Sequence, residues 1–420
     1  MLSHRRAARA LSLAVVALVA GCSTTPSACD ESACGSLGGV VTAVADDGST
    51  TWRTTVRDSG ARVFQQGGTV VVDGCRATTV LDAATGRVLL DTDAVQDPGA
   101  VVDGLVVGAF RDENGPVLVG RPLDGTTGGF RWSRTSDSRS QAPSPVVTVG
   151  TGFAVAWGDS VDVVPRPSER GTASGSPVQL PAEVLGPLAV VGDDVVLAAT
   201  PDGSVYGVVD GALGWRVVPE GVARRFDTAF TPAPGGVLVS WSATGVAETA
   251  FVEATGDVRW RAPGAVPQDE VLTPGAPVVG LVSASGLAGH DVTTGMRRWT
   301  AATPTDRSSV AATRGVVATT ESDEQGAVVV GRDPVAGTEL WRRPGRVTGA
   351  SGVAAVLVQG GPDRDDEQRV SALDPASGDV LWELAVGEGD ASGVVVPATA
   401  TTAGVTVVVD VPERPMVMCE

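Results

Sequence analysis

Lysine is absent from the 420 residues. All 31 basic side chains are arginine, set against 49 acids, for a net charge of −18. That balance excludes general nucleic-acid binding, which needs a cationic surface. Aromatic residues are only 4% of the chain, with seven Phe and one Tyr, too few for an ordinary aromatic core. Histidine is almost missing: of the two, only His290 lies beyond the first few residues. Neither Cys-x-x-Cys nor His-x-x-x-His occurs, so the common zinc spacings are missing. A Gly-x-Ser-x-Gly nucleophile elbow is also lacking. Long helices are excluded by 54 Gly and 27 Pro, which punctuate the chain throughout. What is present in excess is tryptophan. Its nine copies outnumber Phe and Tyr together, which points to a repeated structural task. Hydrophobic residues reach 43%, ample for a folded core.

The first 21 residues read as an export signal. Arg5, Arg6 and Arg9 precede an apolar run from Ala10 to Ala20, too short to span a bilayer comfortably. The segment ends in Val19-Ala20-Gly21-Cys22, which resembles the bacterial lipobox. The resemblance implies cleavage before Cys22, a diacylglyceryl group on its thiol and an extracytoplasmic, membrane-anchored protein. Two acyl chains suffice for stable anchoring. Residues 22–38 are small and polar and suit a flexible tether.

The rest of the chain repeats. Segments around Trp52, Trp132, Trp215, Trp260, Trp299, Trp341 and Trp382 share a strand, a turn and a second strand that holds the Trp. Leu90 fills the same position in TVLDAATGRVLLDT, and a copy without Trp is expected near Val178. The period is about 40 residues, with four strand-like runs in each, as a β-propeller blade requires. In each turn an Asp can bond its own backbone, and a Gly supplies positive φ. A Trp on the outer strand of every blade would fill the wedge between neighbours. We therefore expect an all-β chain forming a single β-propeller of four-stranded antiparallel blades over residues 39–420, closed by pairing its first and last strands.

At Ala372, Leu373, Asp374, Gly378 and Trp382 the chain resembles the PQQ-like β-propeller repeat family. That family includes quinoprotein dehydrogenases and the propeller lipoprotein of the outer-membrane protein assembly complex. Precedent in the family implies eight blades; the literal count of repeats is nine. We take eight as the expectation. The dehydrogenases carry a vicinal Cys-Cys pair, and no adjacent cysteines occur here, so no PQQ and no other cofactor is expected.

With Cys22 lipidated, four cysteines remain. Ring closure would bring Cys75 and Cys419 together as a clasp, leaving Cys29 and Cys34 to pair in the tether. His290 stands where other repeats hold small or apolar residues and reads as a structural strand residue. No catalytic residue is assigned. The loops FRDENG (110–115), TESDEQG (320–326) and GGPDRDDEQ (360–368) are acidic and should share one face. Asp363, Asp365, Asp366 and Glu367 form a weak candidate for Ca²⁺, without the spacing of an EF-hand. They could equally recruit a basic protein segment. The expected function is a monomeric, non-catalytic protein-binding or scaffold module anchored at the cell membrane; the alternatives are a ligand-binding sensor and, behind it, a PQQ-dependent or hydrolytic enzyme.

Overall fold

The computed structural model describes residues 39–410, apart from short stretches of which the longest are 134–142, 165–176, 267–277, 302–309, 361–367, 387–393 and 397–404. Among the described residues there is no helix, and hence none able to cross a membrane. Every sheet has four antiparallel strands, numbered here from first to fourth within each sheet.

Sheet 1 comprises Arg62–Gln66, Thr69–Asp73, Thr78–Asp82 and Val88–Thr92. Sheet 2 comprises Pro98–Val102, Leu105–Asp112, Gly115–Pro122 and Phe130–Ser133. Sheet 3 runs from Val147–Val149 through Gly152–Trp157 and Ser160–Val164 to the short Val178–Gln179. Sheet 4 holds Leu185–Val191, Val195–Ala199, Val205–Val209 and Ala212–Val217. Sheet 5 holds Asp227–Ala233, Gly236–Ala243, Val246–Glu253 and Val258–Pro263. Sheet 6 contains Ala265–Val266, Val278–Ser283, Gly286–Asp291 and Arg297–Ala301. Sheet 7 contains Val310–Thr313, Val316–Asp323, Gly326–Arg332 and Glu339–Pro344. Sheet 8 contains Arg346–Ser351, Ala355–Gly360, Gln368–Leu373 and Val380–Val386. The closing sheet takes its first two strands, Val394–Val396 and Val405–Asp410, from the C-terminal end. Its last two, Gly39–Ala45 and Thr50–Val56, come from the N-terminal end. The seam within it pairs Val40 with Asp410 and Ala45 with Val405.

The sheets therefore number nine among the described residues, where family precedent implied eight. The literal repeat count is the one they match, because the two chain ends build one further sheet between them. Each sheet touches the next, and the closing sheet touches sheets 8 and 1. Pairing the ends in this way closes the ring, and each sheet keeps only short edges.

Burial explains the composition. Second and third strands are covered on both sides by neighbouring sheets, so they read as continuous Val/Ala runs rather than alternating patterns. Val195–Ala199 and Gly152–Trp157 are buried at every position. Small β-branched and Ala side chains let adjacent sheets approach closely, and aromatics are needed only where the sheets diverge.

Strand direction alternates, so the two kinds of turn separate. Hairpins joining first to second and third to fourth strands lie on one face. Hairpins joining second to third strands, and the connections between sheets, lie on the other. We call these the hairpin face and the connection face.

Candidate functional site

The repeated slot on the fourth strand is built by register. Trp52 pairs with Ala43, Trp215 with Gly207, Trp260 with Phe251, Trp299 with Gly289, Trp341 with Gly331 and Trp382 with Ala372. In each case the register shifts directly after the paired third-strand residue, a bulge that increases local twist. Gly or Ala lies beneath the indole in five of the six, and a Cβ added to Gly207, Gly289 or Gly331 would collide with it; Phe251 takes the place beneath Trp260, its ring tilted and 6.2 Å away. The indole then reaches into the next sheet. Trp52 Nε1–H donates to Ala83 O at 2.9 Å, Trp215 to Ala254 O at 2.9 Å and Trp260 to Val292 O at 2.8 Å. Trp299 donates to Pro334 O at 2.7 Å and Trp341 to Pro375 O at 2.8 Å. All five acceptors lie in the turn between third and fourth strands of the following sheet.

That turn is shaped to receive the ring. Asp333 Oδ1 accepts from Val335 N at 2.8 Å and Ala336 N at 2.7 Å. Gly337 then adopts φ +71°, and a Cβ added to it would lie 2.5 Å from Trp299. Asp82 and Asp374 make the same pair of bonds in their turns. Their carboxyls are held below the ordinary range, by the Thr85 hydroxyl at Asp82 and by the Ser377 amide at Asp374. Asp291 is lowered to about 2, chiefly by Arg298, whose guanidinium lies 2.7 Å away. The Asp and Gly of the repeat are thus the socket, and the Trp is the plug from the sheet before.

Two assignments from the sequence change. Trp132 is not in the slot: Phe130 is, paired with Gly120. Asp124 precedes Trp132 by the same interval that separates Asp374 from Trp382, which made Trp132 look equivalent. Arg121, Pro122 and Leu123 intervene between Gly120 and Asp124, two more than the one residue that separates Ala372 from Asp374. The fourth strand therefore meets its partner two residues earlier. Phe130 stacks on Trp132 at 4.4 Å and on Phe153 of sheet 3 at 6.0 Å, and the Trp132 N–H has no partner among the described residues. In sheet 1 the slot holds Leu90, opposite Val80. In sheet 3 Val178 pairs with Val161 and is buried.

The second change concerns acidity. Glu321, read from the sequence as part of a loop at 320–326, lies on the second strand of sheet 7 and is not a free acid. It pairs with Arg332 at 2.7 Å, with both side chains largely buried. Asp363, Asp365, Asp366 and Glu367 lie outside the described residues, as do Cys22, Cys29, Cys34, Cys75 and Cys419. Among the described residues no group of three or more His, Cys, Asp or Glu is placed to hold a metal ion.

His290 occupies the position held by buried Leu81 and Leu373 in other sheets. It is buried, and its Nδ1–H donates to Gly295 O at 2.9 Å across its own turn. Burial depresses its basicity, so the neutral ring is favoured. Among the described residues no side chain is hydrogen-bonded to it, and the ring serves to brace the turn.

Sequence reasoning missed one cluster on the connection face. Glu248, buried in the third strand of sheet 5, holds the Arg261 guanidinium and accepts from Glu220 N at 2.9 Å. Arg261 Nη2 also donates to Val218 O at 2.9 Å, and its guanidinium stands 5.7 Å from the Trp241 ring. Together they fix segment 218–226, which links sheet 4 to sheet 5. A Glu facing an Arg across neighbouring strands was the available signal.

With the ring and its slots established, the relatives can be placed. Residues 37–174 match the family model described as outer membrane protein assembly factor BamB. That span is about a third of the chain. Among curated proteins, none matches. A crystal structure of a eukaryotic initiation factor is similar over 84% of this chain and 97% of its own, with 9% identity and a TM-score of 0.55. At that identity the likeness shows the fold alone. BamB from Moraxella catarrhalis covers 75% of this chain and 94% of its own, at 18% identity and a TM-score of 0.45. Dihydro-heme d1 dehydrogenase NirN covers 74% of this chain and 73% of its own, at 14% identity and a TM-score of 0.46.

Proposed function

We propose that this chain is a non-catalytic, protein-binding propeller at the cell envelope, held to the extracytoplasmic side of a membrane by lipid on Cys22. The observation that carries this reading is the match of residues 37–174 to a family described as an assembly factor. An assembly factor works through surfaces, and this ring invests its distinctive residues in rigidity rather than chemistry. Trp, Asp and Gly of each repeat lock sheet to sheet, and the one strand histidine braces a turn. On this reading the chain acts as a monomer without PQQ. Its partner is a protein whose basic segment meets the acidic loops of the connection face, where Asp363, Asp365 and Asp366 are the residues to neutralise. Disulfides Cys75–Cys419 and Cys29–Cys34 belong to the same exported state.

The test is a pull-down from membranes with the lipidated protein, beside a Cys22→Ala control. A partner retained at low salt, lost at high salt and lost on neutralising the three aspartates supports the proposal. Binding indifferent to salt and to that triple change would remove the acidic loops from it. Palmitate labelling that persists in Cys22→Ala would remove the anchor. Intact mass before and after reduction and alkylation reads the disulfides.

A further inference from the structure

Segment 218–226, VPEGVARRF, is the anomaly of the connection face. Val222 is 95% exposed, far beyond any other large apolar side chain described. Arg224 and Arg225 beside it are exposed and make no ion pair among the described residues. Glu220 is the one acid in the segment, and its amide and carboxylate are engaged with Glu248 and Arg261. In a chain of net charge −18 this is a cationic, apolar-tipped projection.

It is also a rigid one. The base is fixed at Val218 and Glu220 by Arg261 and Glu248, as described above. The far end is fixed at Phe226, which is 2% exposed and donates its N–H to Pro201 O at 2.9 Å. An exposed valine on a loop braced at both ends is displayed rather than left over. Side chains of this kind, apolar at the tip with arginines alongside, suit the boundary between headgroups and acyl chains.

Position supplies the occupant. The segment joins a fourth strand to a first strand and so lies on the connection face. Gly39 opens a third strand, and therefore starts from that same face. The tether from Cys22 to Gly39 spans at most roughly 60 Å when fully extended. The described chain thus begins on the face that carries segment 218–226.

We propose that segment 218–226 is a membrane-contact prong, with Val222 entering the headgroup region of a bilayer and Arg224 and Arg225 meeting anionic headgroups. The proposal rests on the anchored reading above. The contact orients a ring that is already tethered, each arginine contributing about fivefold to residence at an anionic surface.

The experiment supplies the tether artificially. The chain from Ser23, with a histidine tag where Cys22 stands, is attached to vesicles through a nickel-chelating lipid. Amide hydrogen exchange is then compared on phosphatidylcholine vesicles and on vesicles containing one-third phosphatidylglycerol. Exchange at 218–226 should slow at least about fivefold on the anionic vesicles. The turn at 333–337 on the hairpin face should not change. Arg224→Ser with Arg225→Ser should abolish the slowing without altering exchange elsewhere. No slowing, or equal slowing on both faces, overturns the proposal. Equal slowing by soluble polyglutamate without vesicles also overturns it and assigns the loop to an acidic protein segment. If Cys22 carries no lipid in cells, labelling reveals that separately and this measurement still stands.

Discussion

The seam between sheets 6 and 7 and the seam between sheets 2 and 3 solve one packing problem differently. In the first, Trp299 covers Gly289, fills the wedge and donates to Pro334 O in the next sheet. In the second, Phe130 covers Gly120, and Trp132 and Phe153 complete a three-ring stack without an indole hydrogen bond. Volume is therefore the common requirement of the slot. The hydrogen bond is an addition that fixes the angle between sheets.

The largest test of this contrast is truncation. Trp299→Ala should cost about 3–5 kcal/mol, because a buried indole is lost and the rigid sheets cannot collapse into the space. Trp132→Ala should cost about half that, since Phe130 still occupies the slot. Urea unfolding at constant slope would measure both, and equal losses would erase the distinction. The socket comes next. Gly337→Ala should destabilise by at least about 2 kcal/mol, combining positive φ with collision against Trp299. Gly68→Ala also sits at positive φ, +78°, but meets nothing within 4 Å. It should cost only about 1 kcal/mol, so the difference between the two isolates the contact with the ring.

Smaller changes separate volume from hydrogen bonding. Trp299→Phe should lose about 1–2 kcal/mol, whereas Trp132→Phe should be neutral or slightly stabilising, because it removes a buried unpartnered donor. Thermal unfolding with matched controls would resolve these. The smallest effect is in acid. Asp291 titrates at about 2 in the folded state, against an ordinary value of 3.8. Its stabilisation is present above pH 4 and is lost as pH falls from 4 towards 2. The amount is about 1 kcal/mol after allowing for the half-exposed Arg298. Asp291→Asn should flatten the melting temperature over that interval, and an unchanged slope would remove Asp291 from the account.

Legibility divides along the same line. The fold was open to reading because a repeat of about 40 residues leaves marks that need no partner: Asp and Gly define a turn within five residues, and strands announce themselves by Val. His290 was read as structural, and its bond to Gly295 shows how it braces the turn. Trp132 misled because counting from Asp124 assumes a constant register, and the two extra residues between Gly120 and Asp124 shift it. Glu321 looked free because its partner Arg332 lies on the adjacent strand, at a separation that no local pattern marks. The loop at 218–226 was passed over for a similar reason. Its anchors, Glu248 and Arg261, come from the next sheet.

By itself the sequence determined what is local and periodic: all-β content, four strands to a repeat, the turn chemistry, and a small-residue interior with an aromatic recurring in most repeats. Each follows from backbone preference or from side-chain period. Tertiary structure alone decided which aromatic enters each slot and which carbonyl receives it. It also decided which acids are neutralised and which loop projects. Those depend on cross-strand register and on contacts between neighbouring sheets, and such distances exist only once the ring has closed. The nine sheets among the described residues follow the literal repeat count rather than the eight of family precedent, with the closing sheet shared between the two chain ends.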